Sequence, residues 1–368
     1  MKINPEKFKI YESILQEFGP SGCEFRVIDL MKKYYQQYTN EIIQDNLGSC
    51  FAVIRNKKNI ANPQKVMLMA HGDEVGFMVR QINPKGLVKI NPLGGIWEQT
   101  LLANRVKLLK DDGTFIKGTI SAISPHLLSP EARNKPTQID TMLVDFGFTS
   151  EADAYANGIR PGNFLVCEGE TVLLNERRLL SKAIDNRMGV ILGLEVLENI
   201  KDLALDFDLY IGFSVQEEVG TRGAVTATNL IKPDFAIVTD VSPGQDYYSN
   251  SEFGQLGNGV MLRGMDREYI TRYDLIQYQI ALMKKYNIKN QFYISPGGTD
   301  AGAVHLHDYG VPTIQACLIA RNLHTTSGVI DLDDFNETIK LVTTIIKDLN
   351  DEKIRQFNFI NKENKNEK

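Results

Sequence analysis

The chain has 368 residues, 43% hydrophobic and 24% charged, with a formal net charge of −5. At ~150 residues per domain that length fits two or three domains, with ample apolar material for a large core. No basic block stands out, which argues against a nucleic-acid partner. No apolar run approaches the ~20 residues that span a bilayer, which argues against a membrane span.

The N-terminal MKINPEKFKIYESILQEF lacks the apolar centre of a signal peptide. Apolar spacing at 6–18 and 25–38 predicts two helices, separated by the breaker GPSG. SCFAVIRN and KVMLMA follow as strands, and the second is wholly apolar, as expected of a strand covered on both faces. After Gly76 the texture changes. From 77 to 165 the chain reads as short strands and turns: GLVKI, RVKLLKDDGTFIKGTISAI, TMLVDFGF and NFLVC. DDG is a hairpin signal, and SEADAYANG is the one helical stretch. A β-rich module at 77–165 is therefore expected to interrupt a catalytic unit formed by 1–76 and 166–368. Residues 361–368, NKENKNEK, read as a polar tail.

From 180 an α/β rhythm returns. MGVILGLEVLENI reads as helix, 205–215 as strand, GAVTATNLI as helix and FAIVTDV as strand. LIQYQIALMKKY reads as helix, QFYIS as strand, DAGAVHLH as a short helix and PTIQACLI as strand. DLDDFNETIKLVTTIIKDLN closes the chain as a helix, with Asp331 or Asp333 as its N-cap. The alternation predicts an α/β fold: a mainly parallel sheet with helices on both faces. Cys23, Cys50, Cys167 and Cys317 are scattered without metal-type spacing and read as free thiols, so a cytoplasmic, reducing setting is expected.

Ligands of such sheets sit beyond the carboxyl ends of the strands. KVMLMA ends in His71-Gly72-Asp73-Glu74, and 205–215 ends in Glu217 and Glu218. FAIVT ends in Asp240, the stretch through PTIQACLIARNL ends in His324, and Asp185 precedes the helix after the insert. Singly, each has a bland explanation as a turn or capping residue, and for Asp185 alone an N-cap is the better one. Convergence shifts the balance, because only two of the five histidines end core-type strands. His126, His305 and His307 do not, and are expected to be structural. Two imidazoles with several carboxylates suit a pair of divalent ions. Glu218 can bind an ion while Glu217 accepts a proton from water, if both lie in a turn. Asp73 can accept a hydrogen bond from His71 and fix its ring.

HGDEVG, SKAIDNRMG, QEEVGTRGA, TDV, PGGTDAGAVH and ARNLH resemble the motif series of the tetrahedral aminopeptidases, a family of glutamyl, lysyl and deblocking enzymes that includes members labelled cellulase M. The resemblance runs from GPSGCE to the last helix. It implies a phosphorylase/hydrolase-like α/β domain interrupted by a PDZ-like β-barrel that helps build dimers and dodecamers. It also implies two divalent ions, zinc or cobalt, bridged by Asp185, with His71 and Asp240 completing one site and Glu218 and His324 the other. Glu217 would be the general base, Asp73 the orienting carboxylate, peptides with a free N-terminus the substrates, and Asp185–Asn186 a cis peptide. Gly328 and Asn163 depart from the pattern, where a Glu and an Asp are usual. A glycosidase with two carboxylates competes weakly, since paired glycosidase carboxyls flank the bond about 5 Å or more apart and would leave both histidines unused. A metal-dependent amidohydrolase acting on a different substrate and a non-catalytic scaffold also compete.

Overall fold

A computed structural model describes residues 3–247 and 254–360. Its central sheet has six strands in the order Ile42–Gln44, Cys50–Ile54, Asp208–Ser214, Lys65–His71, Phe235–Val238 and Thr313–Gln315. The last four run parallel, and the first two add on antiparallel at one edge. The strand Lys65–His71 explains its own composition. Val66, Leu68 and Ala70 enter one core cluster, while Met67 and Met69 enter another on the opposite face. That is the two-residue period of a strand with no wet side. Each buried Val, Leu or Met among them contributes about 1.5–3 kcal/mol by leaving water.

The helix Ile184–Ile200 covers one face, packed on Lys65–His71 and flanked by helices Pro5–Gln16 and Leu332–Asp348. Helices Arg222–Ile231 and Ala301–Val304 cover the other. Asp331 caps the helix Leu332–Asp348, its side chain accepting from the Asp333 N–H at 3.0 Å. No helix among the described residues is long and apolar enough to cross a membrane.

Two expected strands are each broken in two. FAIVTDV splits into Phe235–Val238 and Val241–Pro243, and PTIQACLI into Thr313–Gln315 and Leu318–Ala320. The later halves leave the central sheet and pair with each other. The break falls at Thr239 and Asp240, which are buried at the carboxyl edge of the sheet. QFYIS pairs not with the central sheet but with an unanticipated strand, Val260–Met265. Val172–Leu174, Arg178–Ser181 and Gly328–Asp331 form a further antiparallel sheet that local patterning did not register.

Between the two parts of the central unit lies a closed barrel of Gly76–Ile82, Val88–Leu93, Leu143–Asp145, Phe115–Ile120, Arg105–Leu109 and Phe164–Cys167. It has its own core, including Phe77, Val88, Ile90, Val106, Leu108, Val144 and Leu165. Because it leaves the sheet directly after His71-Gly72-Asp73, one rim of the barrel lies against the carboxyl edge. The four cysteines are free thiols.

Candidate metal centre

The register places the carboxyl ends of Lys65–His71 and Asp208–Ser214 side by side, with His71 opposite Ser214. Beyond Ser214 the chain must reverse. Gln216 does this in a left-handed conformation (φ 56°), and Thr221 does so again before the next helix (φ 51°). Each such non-glycine residue costs roughly 1–2 kcal/mol. Asp73 offsets part of this by accepting the N–H of Glu217 at Oδ1 (3.1 Å) and of Glu218 at Oδ2 (3.2 Å). With both backbone N–H groups tied to Asp73, both glutamate side chains face the same cavity.

Asp185 lies at the start of the Ile184–Ile200 helix, and its peptide bond to Asn186 is cis, as the resemblance implied. Asp185 Oδ1 is 3.1 Å from His71 Nε2, and Oδ2 is 3.4 Å from His324 Nε2. Asp240 Oδ1 lies 3.8 Å from the same His71 nitrogen, and Glu218 Oε1 lies 3.3 Å from the His324 nitrogen. Two donor groups result: His71, Asp185 and Asp240, and Asp185, Glu218 and His324. Asp185 belongs to both. Glu217 Oε2 approaches His71 Nε2 at 3.8 Å without joining either group. Asp73 lies against the His71 ring, with Oδ1 at 3.4 Å and its carbonyl oxygen at 3.3 Å from Nδ1. Every residue named from the sequence is thus brought to one place. His126, His305 and His307 belong to neither group, and His305 instead packs edge-on against Tyr269.

The electrostatics are those of a site short of positive charge. Burial would lower the pKa of both imidazoles, yet Glu217, Asp185 and Asp73 hold His71 well above its usual range, and Glu218 with Asp185 pushes His324 up to about 11. Burial and then the Asp185 charge push Asp240 up to about 8. Burial raises Glu217 well above the carboxylate range, with Asp300, Asp240 and Glu218 adding to it against the pull of His71. Burial also pushes Asp185 upward, but the hydrogen bonds and charges of His324 and His71 outweigh it and hold Asp185 low. Glu218 Oε1 is buried and accepts no hydrogen bond. A buried carboxylate oxygen with no aligned hydrogen bond, 3.3 Å from His324 Nε2 and among two imidazoles and three further carboxylates, belongs to a donor set suited to divalent cations.

Three groups were missed from sequence. Arg263 is 2% exposed, lines the same cavity of about 630 Å³, and donates from Nη2 to Ser242 Oγ (2.5 Å), while Nη1 lies 3.6 Å from Asp266 Oδ2 and Nε makes no hydrogen bond. Asp300 is buried against Ser214 at the end of its strand. The Gly95 carbonyl accepts from His324 Nδ1. Of the two departures, Gly328 is packed so that a Cβ would sit 3.0 Å from Ile184 Cγ1, leaving no room for a Glu without rearrangement. Asn163 accepts from the Arg160 N–H and donates to Asp111 on the barrel rim, away from the centre.

The sequence profile of the M42 glutamyl aminopeptidase family matches residues 48–341. The chain is 33% identical over 353 residues to a glutamyl aminopeptidase of Lactococcus lactis subsp. cremoris (strain MG1363), covering 95% of this chain and 99% of the relative. Its fold superposes with TM-score 0.90 on a TET aminopeptidase from a marine sediment archaeon, Thaumarchaeota archaeon SCGC AB-539-E09, at 33% identity over 96% of this chain and 100% of the other. The Pyrococcus horikoshii TET1 peptidase, which can assemble into a tetrahedron or a large octahedral shell, matches with TM-score 0.82 at 25% identity, covering 93% and 100%. By the extent of the profile match and of these similarities, the chain belongs to the M42 glutamyl aminopeptidase family.

Proposed function

We propose that the protein is a dinuclear metal-dependent aminopeptidase that removes acidic residues from the N-terminus of peptides. His71 and Asp240 would hold one divalent ion, Glu218 and His324 the other, and Asp185 both. The observation that carries this reading is the division of Asp185, whose two oxygens face two separate donor groups. Zinc or cobalt bound there would supply Lewis acidity at the scissile carbonyl and draw the pKa of water toward neutrality.

The chain's own residues do the rest. Glu217 takes a proton from the attacking water as its oxygen bonds to the carbonyl carbon. It then delivers that proton to the departing amine as the C–N bond breaks. In the metal-free protein burial and the neighbouring carboxylates raise Glu217, and two bound cations would offset that rise and leave the carboxylate free to accept the proton. Asp73 holds the turn that aims it. Arg263 places a buried guanidinium in the cavity wall, with Nη2 on Ser242 and Nη1 3.6 Å from Asp266, and its positive charge suits the side-chain carboxylate of an N-terminal Glu or Asp. The name of the Lactococcus relative agrees with that preference. We further infer a dodecamer built from dimers with contacts from the barrel, supported by the assembly of the Pyrococcus horikoshii relative.

The test is a panel of Glu-, Asp-, Leu- and Lys-p-nitroanilides with cellulose alongside, before and after chelation and reloading with zinc or cobalt. Cleavage of the Glu substrate, lost on chelation and restored by metal, is expected. Cellulose hydrolysis without peptidase activity would replace this reading with the glycosidase. A Leu or Lys preference would keep the aminopeptidase and overturn the role of Arg263. Light scattering that finds a monomer at micromolar concentration would defeat the dodecamer.

A further inference from the structure

The two donor groups are built differently. His71, Asp185 and Asp240 all come from the strand ends and the covering helix of the central unit, and His71 and Asp240 are buried. His324 has no such support. It sits in a turn after Leu318–Ala320, is itself left-handed (φ 56°), and its side chain is about one-third exposed, at 32%. The turn is closed by local bonds from Thr325 Oγ1 to the Asn322 carbonyl and from Asn322 Nδ2 to the Ser327 carbonyl. Those bonds do not fix the imidazole.

What fixes it comes from the barrel. Strand Val88–Leu93 runs directly into Gly94 and Gly95, and the Gly95 carbonyl accepts from His324 Nδ1. That bond puts the proton on Nδ1 and leaves Nε2 to face Asp185 and Glu218. Gly94 is left-handed (φ 95°), and a Cβ there would lie 2.8 Å from Val75 Cγ1 and 3.2 Å from Glu218 Cβ and Oε2. The barrel touches the same turn a second time. Strand Phe164–Cys167 leads to Gly169, where a Cβ would meet the Thr326 carbonyl oxygen at 2.3 Å. Two glycines at opposite ends of the barrel's course therefore let its backbone close on Glu218 and on the turn of His324.

We propose that the barrel rim is a positioning element of the catalytic centre: Gly94 and Gly95, with Gly169 behind the turn, hold Glu218 and His324 in the geometry of the second metal position. The first position does not depend on them. The proposal rests on the reading of Glu218 and His324 as metal ligands. It assigns the insert a role in the chemistry beyond any role in assembly.

The experiment is a cobalt titration of the full-length protein followed by the d–d absorption of the bound ion and by metal analysis, on wild type and on Gly94→Ala, Gly169→Ala and Gly113→Ala. Gly113 is the control. It is left-handed (φ 78°) in a barrel hairpin, and a Cβ there meets nothing within 4 Å, so alanine imposes the same kind of backbone strain on the barrel without touching the site. Wild type and Gly113→Ala are expected to take up two cobalt ions with the same spectrum. Gly94→Ala and Gly169→Ala should take up the first ion normally and the second about 10–100-fold more weakly, with an altered second spectrum. Two ions bound to both variants with wild-type affinity and spectrum would overturn the proposal while leaving the metal centre intact. Weakening of the second ion in Gly113→Ala to the same degree would also overturn it, since barrel destabilisation would then suffice. Wild-type protein that binds no cobalt would overturn the metal centre itself, and this proposal with it.

Discussion

The Asp73 carboxylate accepts the backbone N–H of Glu217 at 3.1 Å and lies 3.4 Å from His71 Nδ1, so one side chain touches both the His71 ring and the turn of the proposed general base. The same carboxylate takes the Glu218 N–H and the Ser21 hydroxyl. Burial alone would raise its pKa, but His71 and these donors outweigh burial and hold it below the usual carboxylate range. Asp73→Asn would present an NH₂ to one of those N–H groups and would leave it unsatisfied. The expected result is a loss of about 10–100-fold in metal affinity or turnover. Titration with zinc and initial-rate measurements check it, and unchanged values in both would remove Asp73 from the site.

Asp185→Ala tests the shared carboxylate. One substitution removes a donor from each group, so both ions should be lost together and activity with them. Metal analysis is the readout. Two ions per chain in the variant would refute the bridging role, and one ion would assign Asp185 to a single position.

Proton release follows from the imidazoles. In the metal-free protein His71 and His324 are protonated at neutral pH, since the surrounding carboxylates raise both against burial, His324 to about 11. A metal ligand must be neutral, so loading at pH 7 should release protons into a weakly buffered indicator solution, and apparent affinity should climb with pH. The stability trend has a definite sign. A His whose folded pKa is raised stabilises fully below its unfolded value of about 6.5 and loses that contribution as pH rises through the folded value. Asp240, raised to about 8 by burial and the Asp185 charge, also binds its proton more tightly when folded, so its contribution fades over the same upward direction. Thermal unfolding of chelated protein should therefore show a falling Tm from pH 7 to 9, with a flatter curve after metal loading. A rising Tm over that range would contradict the charge pattern.

Where side chains carry the signal, the sequence was readable. KVMLMA announces a strand with two dry faces, and the abrupt polar residues after it, after 205–215 and after FAIVT lie together at one edge. Arg263 escaped because its strand, VMLRGM, is short and interrupted by the arginine itself, and that strand lies outside the central sheet. Gly95 acts through a carbonyl, which every residue has, so no residue type betrays it. Asp300 was visible within PGGTDAGAVH, but its partner Ser214 is 86 positions away. The sheet joining Arg178–Ser181 to Gly328–Asp331 was hidden for the same reason of distance along the chain.

The adjacent glutamates make the most discriminating prediction. Glu217 approaches His71 of the first donor group and belongs to neither, whereas Glu218 belongs to the second and faces its histidine at 3.3 Å. Glu217→Gln keeps the size and the hydrogen-bonding ability of the side chain but cannot accept a proton. It should bind two ions, leave KM nearly unchanged and lose on the order of 10²–10⁴ in kcat. Glu218→Gln replaces an anionic donor by a neutral one in a site already rich in His and Asp. One ion should be lost first, and excess zinc or cobalt should restore part of the activity. Rescue by excess metal therefore separates the two residues, although they are neighbours in one turn held by one carboxylate. If metal instead rescues Glu217→Gln, and Glu218→Gln is inactive with both ions bound, the roles are reversed. If neither change affects turnover, the paired carboxylates are only the end of a strand.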